Sequence, residues 1–225
     1  MTELYIIRHA EAEGNLYQRF HGHTDGKITE NGKKQLQRLS AYMGEIPLDG
    51  IYTSDLSRTR ETAEAVRAGR NIPVTLKKEL REIFGGAWEN LPFSELERIY
   101  PAEFAAWENE PAQCTLPEGE SIRNLQRRAV AVVTEILEKN TGRKIAVVTH
   151  GTVIRTLCCY FRGLPLEALN EVGWVDNASV TKVRVDGRAE ICFEGERSFL
   201  AGLSTLDRQD WWQSVGSLIS EKDID

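Results

Sequence analysis

The chain has 225 residues, of which 41% are hydrophobic and 28% charged, a size that can bury the core of one domain. Its formal charge is −6 at pH 7 and it lacks a basic stripe with interleaved aromatic residues, which argues against a nucleic-acid partner. No apolar run approaches the roughly 20 residues of a membrane span, and the first residues lack the basic start of a signal peptide. Together with four cysteines that form no CxxC pair, these features predict a cytoplasmic protein without a membrane partner.

Short apolar runs and helical periodicity alternate along the chain. Residues 4–7 and 145–148 are partly β-branched runs that predict central parallel strands buried on both faces. Helical patterns span residues 30–43, 57–68 and 121–139, with Thr29, Ser57 and Ser121 as their candidate N-caps.

Two further strand signals complete the predicted sheet. Val74–Leu76 follows a proline and offers another strand, and two β-rich runs flank Asp186 and Gly187, as in a hairpin. We therefore predict an α/β fold, a three-layer sandwich with a mostly parallel central sheet and an antiparallel edge.

The predicted domain covers residues 1–197. Within it, residues 91–117 hold several prolines and many acidic residues, and we expect them to form a lid-like excursion over a site rather than sheet. Residues 198–225 are expected to form a C-terminal tail that packs a helix on the surface and includes Trp211 and Trp212.

His9 and His150 each follow directly after an apolar strand. Ligands of open α/β sheets bind at the carboxyl ends of the strands, so neighbouring strands would bring both imidazoles to one crevice. Arg8 precedes the first histidine and Gly151 follows the second. One such histidine could simply end a strand, whereas two in one chain favour a functional site.

An arginine and a glutamate are further candidates. Arg58 lies in the first turns of a predicted helix, where a cation opposes the helix dipole, so we expect it to have an anionic partner. Glu82 lies among apolar neighbours, which would raise its pKa and suit a general acid. A surface glutamate before a glycine turn is the ordinary alternative for Glu82.

Five motifs in order resemble the histidine phosphatase superfamily, the phosphoglycerate mutase-like group. They are RHAE, SDLSRTRETA, LREIFGGAWE, LPEGES and VVTHG, within residues 4–185. The resemblance implies that His9 is a nucleophile that becomes phosphorylated, that Arg8, Arg58 and His150 hold the phosphate, and that Glu82 is the proton donor. The guanidinium groups of arginines can neutralise the charge of a transferring phosphoryl group through paired hydrogen bonds, so we expect no metal and no cofactor.

The resemblance also implies a set of substrate contacts. Asn15 matches a phosphate-contacting position, and His21 and Gly22 match a loop that faces the substrate. Glu11 is expected near the site, and Gly151 beside the second histidine.

The same family contains phosphatases and mutases. Residues 91–117 carry Arg98 as their one basic residue, whereas phosphoglycerate mutases hold the substrate carboxylate with several, and LPEGES resembles the broad-specificity and alpha-ribazole phosphatases. We therefore expect a phosphatase that acts on a small-molecule phosphomonoester, with mutase-type transfer as the alternative.

Two other classes remain open at this stage. His21, His23 and Asp25 form an HxHxD pattern that could serve a metal-dependent hydrolase. A catalytically silent binding module is the other alternative. The sequence specifies neither the natural substrate nor the oligomeric state.

Overall fold

A six-stranded sheet lies between two layers of helices in the computed structural model, which describes residues 1–209. The strands are β1 (Thr2–Arg8), β2 (Gly50–Thr53), β3 (Val74–Leu76), β4 (Lys144–Thr149), β5 (Val180–Asp186) and β6 (Arg188–Glu196). The helices are α1 (Glu13–Leu16), α2 (Glu30–Gly44), α3 (Ser57–Arg67), α4 (Phe93–Ile99), α5 (Pro101–Asn109), α6 (Ile122–Lys139) and α7 (Gly151–Phe161). This architecture confirms the predicted three-layer α/β sandwich.

The order of the strands places the first and last parallel strands side by side. The sheet runs β3-β2-β4-β1-β5-β6. Its first four strands are parallel, and the β5–β6 hairpin forms the predicted antiparallel edge. Arg8 pairs with Thr149 in register, so His9 and His150 leave the sheet next to each other.

Strand β1 is buried on both faces, which explains its unbroken apolar sequence. Leu4 and Ile6 pack into the core that α6 and α7 cover, whereas Tyr5 and Ile7 pack into the core under α2 and α3. The alternation of side chains along a strand therefore serves two hydrophobic cores from one segment.

Two of the three predicted N-caps are confirmed. Thr29 accepts a hydrogen bond from the Gly32 amide at 3.0 Å, and Ser121 accepts one from the Asn124 amide at 3.1 Å. The prediction for Ser57 is wrong, because α3 begins at Ser57 itself with Leu56 before it.

The excursion is helical and is anchored to the core. Residues 91–117 contain α4 and α5, and Trp88, which is fully buried, packs at 6.2 Å from Phe104 and 6.0 Å from Trp107 between ring centres. The segment therefore has a fixed inner face against the domain.

Strand β2 and helices α1, α4, α5 and α7 were not predicted from the sequence. Nine residues of α7 are buried, from Gly151 to Cys159. Trp211 and Trp212, with the surface helix expected around them, lie outside the described residues. Within residues 1–209, no helix has both the length and the apolar character to cross a membrane.

Candidate active site

Two histidines meet at the carboxyl ends of β1 and β4. The ring centres of His9 and His150 are 5.2 Å apart, and the rings are tilted by 60°. Both side chains are buried, with 6% and 0% of their surfaces exposed. The sequence pattern of a strand followed at once by a histidine thus produces one shared site.

The ring of His9 has a fixed orientation. Its Nδ1 lies 2.8 Å from the Ala10 carbonyl oxygen, which can only accept a hydrogen bond, so Nδ1 carries the proton and Nε2 keeps its lone pair. The pKa of His9 is well below its ordinary value of 6.5, first because of burial and then because of the Arg58 and Arg8 charges. His9 is therefore neutral at pH 7 and has a nucleophilic nitrogen available.

Arg58 is held inside the site by backbone oxygens. It is 1% exposed, and its guanidinium group donates hydrogen bonds to the carbonyls of Thr24 at 2.8 Å and Gly22 at 2.7 Å. Burial lowers the pKa of Arg58 to about 10, which leaves it charged at pH 7. The expected anionic partner is Asp25, whose Oδ1 lies 3.9 Å from Nη1.

Asp25 also explains why Ser57 is not the N-cap of α3. The Asp25 carboxylate accepts hydrogen bonds from the Ser57 amide at 2.9 Å and the Ser57 hydroxyl at 2.7 Å. A carboxylate from a distant loop thus satisfies this helix end, and a sequence window around Ser57 does not contain that information.

Arg8 and Glu82 complete the charged groups of the site. Arg8 is 4% exposed and donates a hydrogen bond to the Val175 carbonyl at 2.7 Å. The Glu82 carboxylate accepts hydrogen bonds from the amides of Ile83 at 2.9 Å and Thr152 at 3.0 Å. Thr152 lies in the first turn of α7, so the helix N-terminus helps to orient the carboxylate.

His150 has polar atoms that no described residue satisfies. Both of its ring nitrogens are buried and have no hydrogen-bond partner within residues 1–209. Its pKa is well below 6.5, mainly because of burial and then because of Arg58. Buried polar atoms of native proteins are usually hydrogen-bonded, so these nitrogens indicate a ligand-binding position.

A pocket with about 630 Å³ of empty space, part of it open to solvent, lies over Arg8, His9, Arg58 and Glu82. Its lining includes Arg8, His9, Ala12, Gly14, Asn15, Gln18, Arg19, Phe20, His21, Arg58, Glu82, Phe93, Trp107, Gly151, Thr152, Trp174 and Gln209. We call Arg8, His9, Arg58, Glu82 and His150 the reactive cluster. We call Phe93, Trp107, Trp174 and Gln209 the outer wall.

The predicted substrate contacts divide into two groups. Asn15, His21 and Gly151 line the pocket, whereas Gly22 and Glu11 do not. Gly22 contributes its carbonyl to Arg58 at 2.7 Å. Glu11 is buried behind the site, where its carboxylate accepts hydrogen bonds from Thr29, Asn31 and Thr205 at 2.6, 3.0 and 2.9 Å.

Several pocket residues were not found from the sequence. Thr152, Trp174 and Gln209 line the pocket, and Asn177 donates a hydrogen bond to the His9 carbonyl at 2.9 Å. Three of them come from loops or from the C-terminal segment, which carry no periodic pattern. The adjacency of Thr152 to the His150-Gly151 pair is the one signal that could have found it.

The HxHxD side chains point to different partners. His21 Nε2 lies 3.2 Å from Asn90 Oδ1, His23 Nε2 lies 3.1 Å from the Glu82 carbonyl, and Asp25 binds Ser57. In the part of the chain that the structure describes, no group of three or more His, Cys, Asp or Glu side chains could hold a metal ion. The geometry therefore gives the metal-dependent alternative no site at these three residues.

A neutral buried imidazole beside two buried guanidinium groups can bind a phosphate group and attack its phosphorus atom. This is the arrangement of an enzyme that transfers phosphoryl groups through a covalent intermediate. Comparison with known proteins gives the family: residues 4–192 match the model of the histidine phosphatase superfamily (branch 1), and the chain belongs to it.

Individual relatives agree with this assignment. The chain is 30% identical over 191 residues to "Phosphoserine phosphatase 1" of Hydrogenobacter thermophilus, covering 85% of this chain and 90% of the relative. It is 32% identical over 188 residues to "Phosphoglycerate mutase-like protein 4" of Arabidopsis thaliana, covering 82% and 80%. The solved structure of "Bacillus stearothermophilus YhfR" superposes with a TM-score of 0.86 at 35% identity, covering 89% of this chain and all of that one (100%). The protein is a phosphatase of phosphomonoesters that acts through a phosphohistidine.

Proposed function

We propose that His9 is the residue that becomes phosphorylated, with Glu82 as the proton donor, and that no metal takes part. The observation that carries the proposal is the hydrogen bond from His9 Nδ1 to the Ala10 carbonyl, because it leaves Nε2 free in a pocket with two buried arginines. Arg8 and Arg58 supply two positive charges for the phosphate. His150, whose ring centre lies 5.2 Å from that of His9, offers two ring nitrogens that no residue of the described range 1–209 satisfies.

The first half of the reaction forms the phosphoenzyme. The lone pair of His9 Nε2 attacks phosphorus, the ester P–O bond breaks, and the protonated Glu82 carboxyl gives its proton to the departing alcohol oxygen. The arginines neutralise charge on the equatorial oxygens of the transferring group.

The second half regenerates the enzyme. A water oxygen attacks phosphorus, the Glu82 carboxylate takes up its proton, and the P–N bond breaks to return the electron pair to His9. Glu82 is suited to both halves, since the amides of Ile83 and Thr152 hold its carboxylate at the pocket.

The substrate is proposed to be a small-molecule phosphomonoester rather than a phosphoprotein, because Arg8, His9 and Arg58 are almost fully buried at the base of a pocket that is lined partly by aromatic side chains. We also propose that the enzyme works in the cytoplasm, where its four free cysteines would stay reduced.

Hydrolysis is favoured over mutase-type transfer by the contacts of Arg98. This arginine is 70% exposed and pairs with Glu95 at 2.5 Å, and it does not line the pocket. The excursion therefore contributes no cation to the described lining of the pocket. We expect purified protein to hydrolyse phosphoglycerates without interconverting them, and interconversion at a rate comparable to hydrolysis would reverse this assignment.

The proposal is tested by trapping the phosphoenzyme. Wild-type protein mixed with a ³²P-labelled phosphate ester in excess EDTA and quenched in alkali should carry label that is lost in acid, as expected for phosphohistidine. His9→Ala should carry none, and the matched variant His23→Ala should label like the wild type. Labelling that requires a divalent metal, or that persists in His9→Ala, would refute the assignment.

A further inference from the structure

The chain returns to the active site at its far end. Residues 203–209, here called the strap, lie against α2, where Gln35 donates hydrogen bonds to the Leu203 carbonyl at 2.8 Å and the Thr205 hydroxyl at 3.0 Å. Thr205 in turn donates to the Glu11 carboxylate at 2.9 Å. The strap is therefore tied to the segment that directly follows His9 in sequence.

One buried carboxylate anchors the strap beside the reactive cluster. Asp176 is 1% exposed and accepts hydrogen bonds from the Ser204 hydroxyl at 2.5 Å, the Thr205 amide at 3.1 Å and the Leu206 amide at 3.3 Å. Its neighbours Val175 and Asn177 hold Arg8 and the His9 carbonyl. The loop that fixes the reactive residues thus also fixes the strap.

The strap ends with Gln209 at the pocket. Gln209 is 7% exposed, lines the pocket, and donates a hydrogen bond through Nε2 to the Asn15 carbonyl at 2.5 Å. Asn15 also lines the pocket. A glutamine buried in this way has a restricted set of conformations and presents a defined surface to a bound molecule.

The two arginines proposed to bind the phosphate are held by residues outside the strap. Arg58 is held by the carbonyls of the 21–24 loop, and Arg8 by the Val175 carbonyl. A phosphate bound by these groups leaves the alcohol part of the ester to the remaining lining, which includes Gln209 and the aromatic residues of the outer wall.

We propose that Gln209 is a specificity-determining residue, which contacts the alcohol part of the substrate with a neutral amide and so tolerates an anionic group there. The inference rests on the proposed function. It predicts that a negative charge at this position discriminates against esters whose alcohol part carries a carboxylate, while esters with a neutral alcohol part are affected less.

The test compares two esters of similar size, 3-phosphoglycerate and glycerol 3-phosphate, which differ by a carboxylate in place of a hydroxymethyl group. Each is measured as a competitive inhibitor of p-nitrophenyl phosphate hydrolysis. Gln209→Glu should raise the ratio of the inhibition constants, 3-phosphoglycerate over glycerol 3-phosphate, by about tenfold. The same substitution at the exposed Gln37 on α2 should leave the ratio unchanged.

A second variant separates specificity from folding. Gln209→Ala should weaken inhibition by both esters about threefold to tenfold, with inhibition by inorganic phosphate changed less than twofold, because Arg8 and Arg58 keep their anchors. If Gln209 had a purely structural role, its loss would weaken inhibition by inorganic phosphate to the same extent. That result would overturn the inference.

Failure of the inference and failure of the proposed function give different results. If the wild type is active but the ratio of inhibition constants is the same in Gln209→Glu, or changes equally in Gln37→Glu, the inference alone is overturned. If His9→Ala still hydrolyses p-nitrophenyl phosphate like the wild type, the proposed function is overturned, and the inference with it.

Discussion

The reactive cluster and the outer wall of the pocket are built by different kinds of segment. Arg8, His9 and His150 lie at the ends of adjacent parallel strands, and they are almost fully buried. Phe93, Trp107 and Trp174 are only partly buried and come from the excursion and a loop. The difference suggests that the sheet fixes the chemistry, whereas the added segments select the molecule on which it acts.

The largest expected effect concerns proton donation inside the reactive cluster. Glu82→Gln should slow hydrolysis of glycerol 3-phosphate by about 10²- to 10⁴-fold, because a poor leaving group needs a proton. Hydrolysis of p-nitrophenyl phosphate should fall less than about tenfold, since its leaving group needs little protonation. Steady-state kinetics on both substrates measure the difference, with the exposed Glu79→Gln as control. Equal losses on the two substrates would remove the acid role from Glu82.

The next effect tests whether the strap can be released from the domain. Asp176→Ala leaves the hydroxyl of Ser204 and the amides of Thr205 and Leu206 without their acceptor. We expect the free energy of unfolding to fall by about 2–3 kcal/mol, measured by denaturant titration.

The control for this variant shares one partner with Asp176, namely Arg197, which donates a hydrogen bond to the Asp176 carboxylate at 3.0 Å. Asp207 also pairs with Arg197 at 3.0 Å, but its side chain is 64% exposed. Asp207→Ala should therefore change stability by less than about 0.5 kcal/mol. If the two variants were equally stable, Asp176 would not be the anchor of the strap.

A pH titration examines the buried histidines of the reactive cluster. His9 and His150 have pKa values well below 6.5 in the folded protein. At pH values between the folded pKa and 6.5, the unfolded chain therefore binds more protons than the folded protein does. The free energy of unfolding should consequently fall as the pH decreases below about 6.5, by up to about 1.4 kcal/mol per pH unit for each histidine.

A substitution isolates one histidine from other titrating groups. Relative to the wild type, His150→Asn should reduce the slope of stability against pH by about 1.4 kcal/mol per unit below pH 6.5. Denaturant unfolding at several pH values provides both slopes. Identical slopes would mean that His150 is protonated in the folded protein at the same pH as in the unfolded chain.

The smallest effect concerns the outer wall. Phe93→Ala should raise KM for p-nitrophenyl phosphate by about fivefold to tenfold, through loss of apolar contact with the alcohol part, and leave kcat within about twofold. Ile99→Ala, at the other end of α4 and 42% exposed, should leave both constants unchanged. A large fall in kcat for Phe93→Ala would instead connect the wall to the chemical step.

Sequence reasoning located the residues whose positions depend on local pattern. The two central strands were identified from short apolar runs, and because parallel strands end at one edge, His9 and His150 were expected to meet if those strands were neighbours, as they are. Thr29 and Ser121 were recognised as N-caps from residue type and position alone. Ser57 fitted the same pattern, but Asp25 from a distant loop occupies that role.

The sequence by itself determined the α/β architecture and placed Arg8, His9 and His150 at strand ends, because strand burial and strand ends are short-range properties. Only the tertiary structure decided that Glu11 lies behind the site and that Gln209 lies on it. The contacts that decide both, from Thr205 to Glu11 and from Gln209 to Asn15, each join residues 194 positions apart. Hydrogen bonds of that range depend on how finished elements pack, so no window of the sequence contains them.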